Sequence, residues 1–162
     1  MMSPASNQKW GHSDKPRRKR PKSEFQKQIA RLDKYFSEFI RLSAADENGL
    51  CQCVTCKKLK PWNKRKTHAG HFISKNSKTL RVRWDVENVH PQCYNCNTNL
   101  GGNQYEYSLF LDEKYGQGTA QKLKIKSTKH FNPDIFGMEA HIKHYRDLVK
   151  VLKKSKGIKN GK

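Results

Sequence analysis

The chain has 162 residues, 34 of them Lys or Arg against 14 Asp or Glu, for a formal charge of +20 at pH 7. That length fits one ordinary domain with tails, and a charge this large repels itself in the folded state and calls for a polyanion, most often nucleic acid. No apolar run approaches the roughly 18 residues of a membrane span and no signal-like apolar stretch opens the chain. The expectation is a cytoplasmic protein with no membrane partner, in which cysteines serve as metal ligands rather than disulfide partners.

Residues 1–22 close with Lys15-Pro16-Arg17-Arg18-Lys19-Arg20-Pro21-Lys22 and have the composition of a disordered basic arm. Arg17, Arg18, Lys19 and Arg20 are therefore DNA-binding candidates, although a solvated tail or a localisation signal would read the same. A helix is expected to begin at Ser23, whose hydroxyl can cap the first turn while Gln26 reaches back. Its apolar stripe is Ile29, Leu32, Phe36, Phe39 and Ile40, and its expected end is Asn48-Gly49, where glycine permits a left-handed cap. Residues 50–103 are short on helical periodicity and dense in Cys, His, Asn, Gly and Pro.

Helical spacing returns at Gln104, with Tyr105, Leu109 and Asp112 on one face as far as Tyr115, and residues 116–118 break it. Thr119 to Ile125 reads as a further turn or two. The clearest late helix runs from Met138 to Leu152, with Met138, His141, Ile142, Tyr145, Leu148, Val149 and Leu152 on one stripe. That stripe either packs within the chain or pairs with a second copy as a homodimer. The division is an arm at 1–22, a single domain at 23–153 with its informative core at 50–117, and a basic tail at 154–162.

Cys53-Val54-Thr55-Cys56 and Cys93-Tyr94-Asn95-Cys96 are two C-x-x-C pairs. Each short turn lets two thiolates converge, and two turns complete a tetrahedral zinc site with ligands about 2.3 Å from the ion. Four thiolates leave no open position for water, so such a zinc is structural and any chemistry lies elsewhere. Cys51 is the alternative to Cys53 at this site and otherwise a free thiol.

The stretch between the pairs reads Thr67-His68-Ala69-Gly70-His71-Phe72-Ile73-Ser74, then Leu80-Arg81-Val82-Arg83-Trp84-Asp85-Val86-Glu87-Asn88-Val89-His90-Pro91-Gln92-Cys93. It resembles the HNH nuclease unit, with a histidine on a first strand, an asparagine five residues before the second knuckle, and a third polar residue directly after it. The resemblance implies a zinc-knuckled ββα-metal unit, an α+β fold flanked by N-terminal and C-terminal helices. It further implies that His71 is the general base, that Asn88 orients the loop and His71, and that Asn97 helps hold a catalytic Mg²⁺ or Mn²⁺. An imidazole of ordinary pKa about 6.5 suits a base near neutral pH, and a carboxamide oxygen suits a hard divalent ion.

Gly70 departs from that pattern, because an aspartate or histidine usually precedes the base as a metal ligand. His68 or Asn103 could take the role instead, with His68 otherwise a surface residue. His90 reads as a packing or capping residue, and Trp62, Phe72 and Trp84 as the small core around the zinc.

Read as a whole, the block Cys-x-x-Cys, His-Ala-Gly-His-Phe-Ile-Ser, Leu-Arg-x-x-Trp-Asp-x-x-Asn-Val-His-x-Gln-Cys-x-x-Cys-Asn and Gly-Gly-Asn is similar to the NinG (Rap) recombination proteins of lambdoid bacteriophages. The likeness covers residues 50–117. It implies a structure-specific endonuclease acting on branched DNA such as Holliday junctions or D-loops, in the cytoplasm of a bacterial host. The basic segment 57–66, with Lys64, Arg65 and Lys66, and the two tails are the candidate contacts to branched or double-stranded DNA. Two other classes compete: a noncatalytic zinc-bearing DNA-binding protein, for which Gly70 is the argument, and an RNA-associated basic protein, which rests on charge.

Overall fold

The computed structural model describes residues 21–158 apart from Lys64. Arg17, Arg18, Lys19 and Arg20, with the rest of the arm before Pro21, and the last four residues of the tail lie outside the described residues, as does Lys64.

Helix α1 spans Glu24–Ala44 and opens on the expected capping box: Ser23 Oγ accepts from the Gln26 amide at 3.3 Å, and Gln26 Oε1 accepts from the Ser23 amide at 3.1 Å. Leu32, Phe36 and Ile40 are its buried stripe. The helix ends at Ala44, earlier than the glycine suggested. Asp46 is the reason, since its Oδ1 accepts from the amides of Asn48 at 2.9 Å and Leu50 at 2.8 Å and so offers them a turn in place of a helix. Gly49, at φ +72°, serves that turn rather than a helix cap.

Two small antiparallel sheets follow. Strand β1, Leu50–Gln52, pairs with β2, Leu59–Pro61, and β3, Thr67–His71, pairs with β4, Val89–Cys93, in the register Thr67↔Cys93 through His71↔Val89. Between β3 and β4 lies the short helix α2, Leu80–Arg83. After β4 come a single π-helical turn, Asn95–Asn99, then α3, Gln104–Tyr115, α4, Thr119–Thr128, and α5, Ile135–Ser155. The class is α+β.

Two apolar clusters hold these parts. On one side of the β3–β4 hairpin, Phe36 and Ile40 of α1 meet Val89, with Ala69, Trp84 and Tyr145 against them. The other cluster joins Val54, Val82, Tyr107, Leu111 and Leu123, with Phe72 packed on it. Trp84 and Phe72 thus belong to these two clusters and not to a core around the cysteines, whose own cluster consists of Cys53, Cys93 and Cys96 with Cys56 against it. Trp62 lies against Gly49, 3.2 Å from where a Cβ there would stand.

The face of α3 also differs from expectation, because Tyr107 and Leu111 are buried whereas Tyr105 and Leu109 are exposed. The amphipathic signal of α3 is weak, and what selects the buried face is the partner Tyr107 finds, donating its hydroxyl to Gly70 O at 2.9 Å. The apolar stripe of α5 is used within the chain: Met138, Ile142 and Val149 are buried, and Tyr145 meets Phe36 with ring centroids 4.9 Å apart. Gln28 bonds Glu139 at 3.0 Å and Lys153 pairs with Glu38 at 2.6 Å, so α1 and α5 run in the same direction.

Candidate functional site

The β3–β4 hairpin carries a different site at each end. At the Thr67–Cys93 end the two C-x-x-C turns face one another. The first is closed by Lys57 N donating to Cys53 O at 2.9 Å, with Lys57 itself at φ +60°, and is tied to the hairpin by Val54 N donating to Pro91 O at 3.0 Å. The sulfurs of Cys53, Cys56, Cys93 and Cys96 all lie within 4.8 Å of one another. Cys56 Sγ and Cys93 Sγ stand 3.7 Å apart, close to the roughly 3.8 Å edge of a tetrahedron of thiolates around zinc. The donor set fits a structural metal such as zinc.

Burial opposes ionisation of Cys53, Cys56 and Cys96. In Cys53 it is outweighed by backbone amides and the Thr55 hydroxyl, which lower the pKa, whereas burial raises Cys56 and Cys96. Cys51 is not among the four. It is buried against α1, its thiol donates to Arg41 O at 3.1 Å, and burial pushes it up to about 11; the sulfur that stands with those of Cys56, Cys93 and Cys96 is that of Cys53.

The other site is an open cleft of about 480 Å³ that runs along β3 between α1 and the start of α3. His68, Ala69 and His71 of β3 line it together with Ser37 and Arg41 of α1, Lys75, Asn97 and Gly102. Strand alternation sends His68 and Gly70 to the face shared with Gln92, and Ala69 and His71 to the face shared with Val89. Both histidines reach the cleft because, among the described residues, β3 is paired only on the β4 side.

The His71 ring lies between two backbone carbonyls, with Nε2 3.0 Å from Arg83 O and Nδ1 3.2 Å from Ala69 O. Burial, and then the charge of Lys75, bring its pKa down to about 4, so the ring is neutral at pH 7 and carries one N–H. With the proton on Nε2, donated to Arg83 O in the shorter contact, Nδ1 is the basic atom and lies against Ala69 O.

Arg83 O is itself positioned. The Arg83 guanidinium makes a two-pronged pair with Asp33 of α1, at 2.9 and 2.7 Å, and Trp84 Nε1 donates to the same carboxylate at 2.9 Å. Burial works against the Asp33 carboxylate, but Arg83 outweighs it and holds the pKa below the ordinary value.

Asn88 is fully buried beneath the cleft rather than in it. Its Oδ1 accepts from the Ile73 amide at 2.7 Å, and its Nδ2 donates to Ile73 O at 3.1 Å and Val82 O at 2.9 Å. It therefore staples the segment after β3 to the end of α2, on either side of His71 and Arg83. No hydrogen bond joins Asn88 to the His71 ring. Asn97 does face the cleft: its Nδ2 donates to His68 Nδ1 at 2.9 Å, and its Oδ1 lies 3.0 Å from the Cβ position that Gly70 lacks. This brings His68 into contact with Asn97 and places a carboxamide oxygen where it can meet a hard cation. Asn103, by contrast, is the residue before α3, at φ +47°, and does not line the cleft.

His90 is a packing residue, as expected, and more. Its Nδ1 meets Tyr107 Oη at 3.1 Å and its Nε2 meets Tyr115 Oη at 2.9 Å, while Tyr107 donates to Gly70 O. Burial, then Lys114, pull its pKa to about 3, so a neutral ring links the two phenols and fixes the carbonyl of Gly70.

The model of the Bacteriophage Lambda NinG protein family matches residues 4–155. The chain belongs to the NinG family. Over 78 residues it is 27% identical to Protein ninG of Escherichia phage 933W, a stretch covering 48% of this chain and 37% of that protein. It is also 27% identical over 78 residues to Protein ninG of Salmonella phage P22, covering 36% of that protein. The matched stretch thus spans little more than a third of each relative. No solved structure matches the chain.

In this NinG-family chain, three residues in or beside the cleft are given no role by the motif reading. Arg41 sits on a helix stripe that looks like ordinary core, yet it is buried, donates to Trp62 O at 3.1 Å and lines the cleft. Lys75 and Gln92 carry no pattern of their own and gain meaning only from what the fold places beside them. Arg65 and Lys66 are exposed in the turn leading into β3, outside the cleft lining. No described helix is long and apolar enough to cross a membrane.

Proposed function

We propose that this NinG-family chain is a metal-dependent, structure-specific DNA endonuclease of the HNH type, acting on branched recombination intermediates such as Holliday junctions or D-loops in the cytoplasm of a phage host. The observation that carries the reading is that His71 and Asn97, 26 positions apart, line one open cleft next to a closed four-thiolate cluster.

His71 Nδ1 takes the proton of the attacking water, while Nε2–H, held on Arg83 O, keeps the ring in that orientation. A pKa of about 4 keeps the base unprotonated throughout the physiological range but also makes it weak. A hard divalent ion such as Mg²⁺ or Mn²⁺, bound through the Asn97 carboxamide, would supply the charge that stabilises the phosphate and the leaving oxygen. Arg41 and Lys75 give the cleft two cations for the phosphates on either side of the cut, and Arg65, Lys66 and the basic arm with Arg17, Arg18, Lys19 and Arg20 would contact flanking duplex.

Among the described residues, no carboxylate lines the cleft. That observation favours the second reading, a zinc-bearing DNA-binding protein that does not cut. The purified protein, offered four-way, forked and linear DNA with and without Mg²⁺, is expected to cut the branched forms only with the ion. Binding to junctions that leaves them whole in both Mg²⁺ and Mn²⁺ would establish the second reading instead.

A further inference from the structure

Gln92 of β4 is fully buried, and the two ends of its carboxamide are treated differently. Nε2 donates to Gly102 O at 2.7 Å and reaches Thr55 Oγ1 at 3.4 Å. Those bonds also orient the group, since the reverse placement would set an acceptor against the Gly102 carbonyl. Oε1, in contrast, is one of two buried side-chain polar atoms among the described residues with no hydrogen-bond partner. A buried carbonyl is costly to leave unpaired, so its surroundings should contain what satisfies it.

Those surroundings are Gly70 and Asn97. Oε1 lies 2.1 Å from the point where a Cβ on residue 70 would stand, and Asn97 Oδ1 lies 3.0 Å from the same point, so the two oxygens are within about 5 Å of each other. An oxygen carried by an aspartate at position 70 would itself lie about 2.4 Å from that Cβ. Gln92 thus brings an oxygen, from the paired strand, into the shell that a residue-70 ligand would occupy. Gly70 is not among the residues with positive φ, so its backbone does not demand glycine; Gln92 does, because a side chain there would collide with Oε1. Asn97 is fixed in the matching sense by donating Nδ2 to His68.

We propose that Gln92 Oε1 and Asn97 Oδ1 together form an oxygen site for a hard divalent cation, buried beside the cleft that Asn97 lines, Gln92 being the ligand that Gly70 cannot be. The site rests on the nuclease reading above for its use in cutting, but not for its existence. Two neutral ligands predict a weak, exchangeable site, because affinity for such ions rises with ligand charge.

The test is Mn²⁺ binding to the zinc-loaded full-length protein without DNA, followed by electron paramagnetic resonance of the free ion. Wild type should bind Mn²⁺ in the millimolar range or better. Gln92→Ala should weaken binding tenfold or more, and Gly70→Asp added to Gln92→Ala should restore it, since the removed side chain vacates the place of the new Cβ. A purely structural role for Gln92 predicts no such rescue. In wild type, where folding is not in question, Mg²⁺ should shift the carbon-13 resonance of the Gln92 carboxamide.

Unchanged Mn²⁺ affinity in Gln92→Ala, or a Gln92 resonance indifferent to Mg²⁺, would overturn the proposal. If Mg²⁺-dependent cutting persisted in that case, the nuclease reading would stand without this ligand. Absence of both ion binding and cutting in wild type would remove the two together.

Discussion

Thr67 and His71 end the same five-residue strand, yet what gathers at each end is opposite in kind. At Thr67 four sulfurs close on one point, three of them buried, with Val54, Thr55 and Lys57 binding the turn to itself and to the hairpin. At His71 the strand borders an open cleft lined by polar groups that their neighbours hold in place: the His71 imidazole between two carbonyls, the Asn97 carboxamide, and the cations of Arg41 and Lys75. A closed set of ligands stabilises and leaves nothing for a substrate. An open one leaves polar groups incompletely satisfied, which is what a reaction or a ligand can use.

The contrast predicts how each end should fail. The largest effect belongs to the closed end: stripping zinc with a strong chelator, or Cys96→Ser, should unfold the domain, because structural zinc contributes on the order of 10 kcal/mol at neutral pH. Circular dichroism melts check this, and an unshifted midpoint would show that the cysteines do not form a structural metal site.

Asn88→Ala comes next. It strips three hydrogen bonds from buried backbone groups and should cost about 3 kcal/mol in chemical unfolding. Asp33→Ala should cost about 2 kcal/mol by leaving Arg83 unpaired. It should also depress cutting beyond what the stability loss explains, since Arg83 O orients His71. Equal activity at full folding would remove that positioning role.

Acid sensitivity should follow from the two buried rings. His71 and His90 both titrate below the ordinary 6.5 in the folded chain, at about 4 and about 3. The folded state therefore binds fewer protons than the unfolded one between those values. Stability from this source is complete above about pH 6.5 and declines as pH falls through 4 towards 3. Melts across that range should show the decline, and His90→Gln should flatten it. The smallest effect expected is at the open end: Lys75→Ala should weaken junction binding only a few-fold and lower the slope of its salt dependence by about one phosphate contact.

The cysteine spacing made the closed end readable from sequence, because two C-x-x-C turns together are the pattern of a four-thiolate metal site. The capping box at Ser23 and Gln26 and the stripe through Leu32, Phe36 and Ile40 were equally plain, since they are local patterns. The end of α1 was misplaced because Asp46 captures two amides through its side chain, a competition that periodicity does not register. The face of α3 was misjudged because Tyr107 is chosen by the carbonyl of Gly70, which the strand pairing brings near. At the open end, His71 and Asn97 were found through the motif, whereas Arg41, Lys75 and Gln92 depend on which residues the fold sets opposite them. Gly70 looked like a missing ligand in one dimension; beside Gln92 it is the space that an oxygen from the neighbouring strand fills.

If the open end cuts DNA with His71 as its base, removing the imidazole should stop cutting and spare binding. Wild type and His71→Ala should be compared on the same four-way junction in Mg²⁺, with binding and cleavage measured separately. Junction affinity should be unchanged and cleavage slowed by about 10²- to 10⁴-fold. Cleavage by His71→Ala at the wild-type rate would contradict that role for the imidazole.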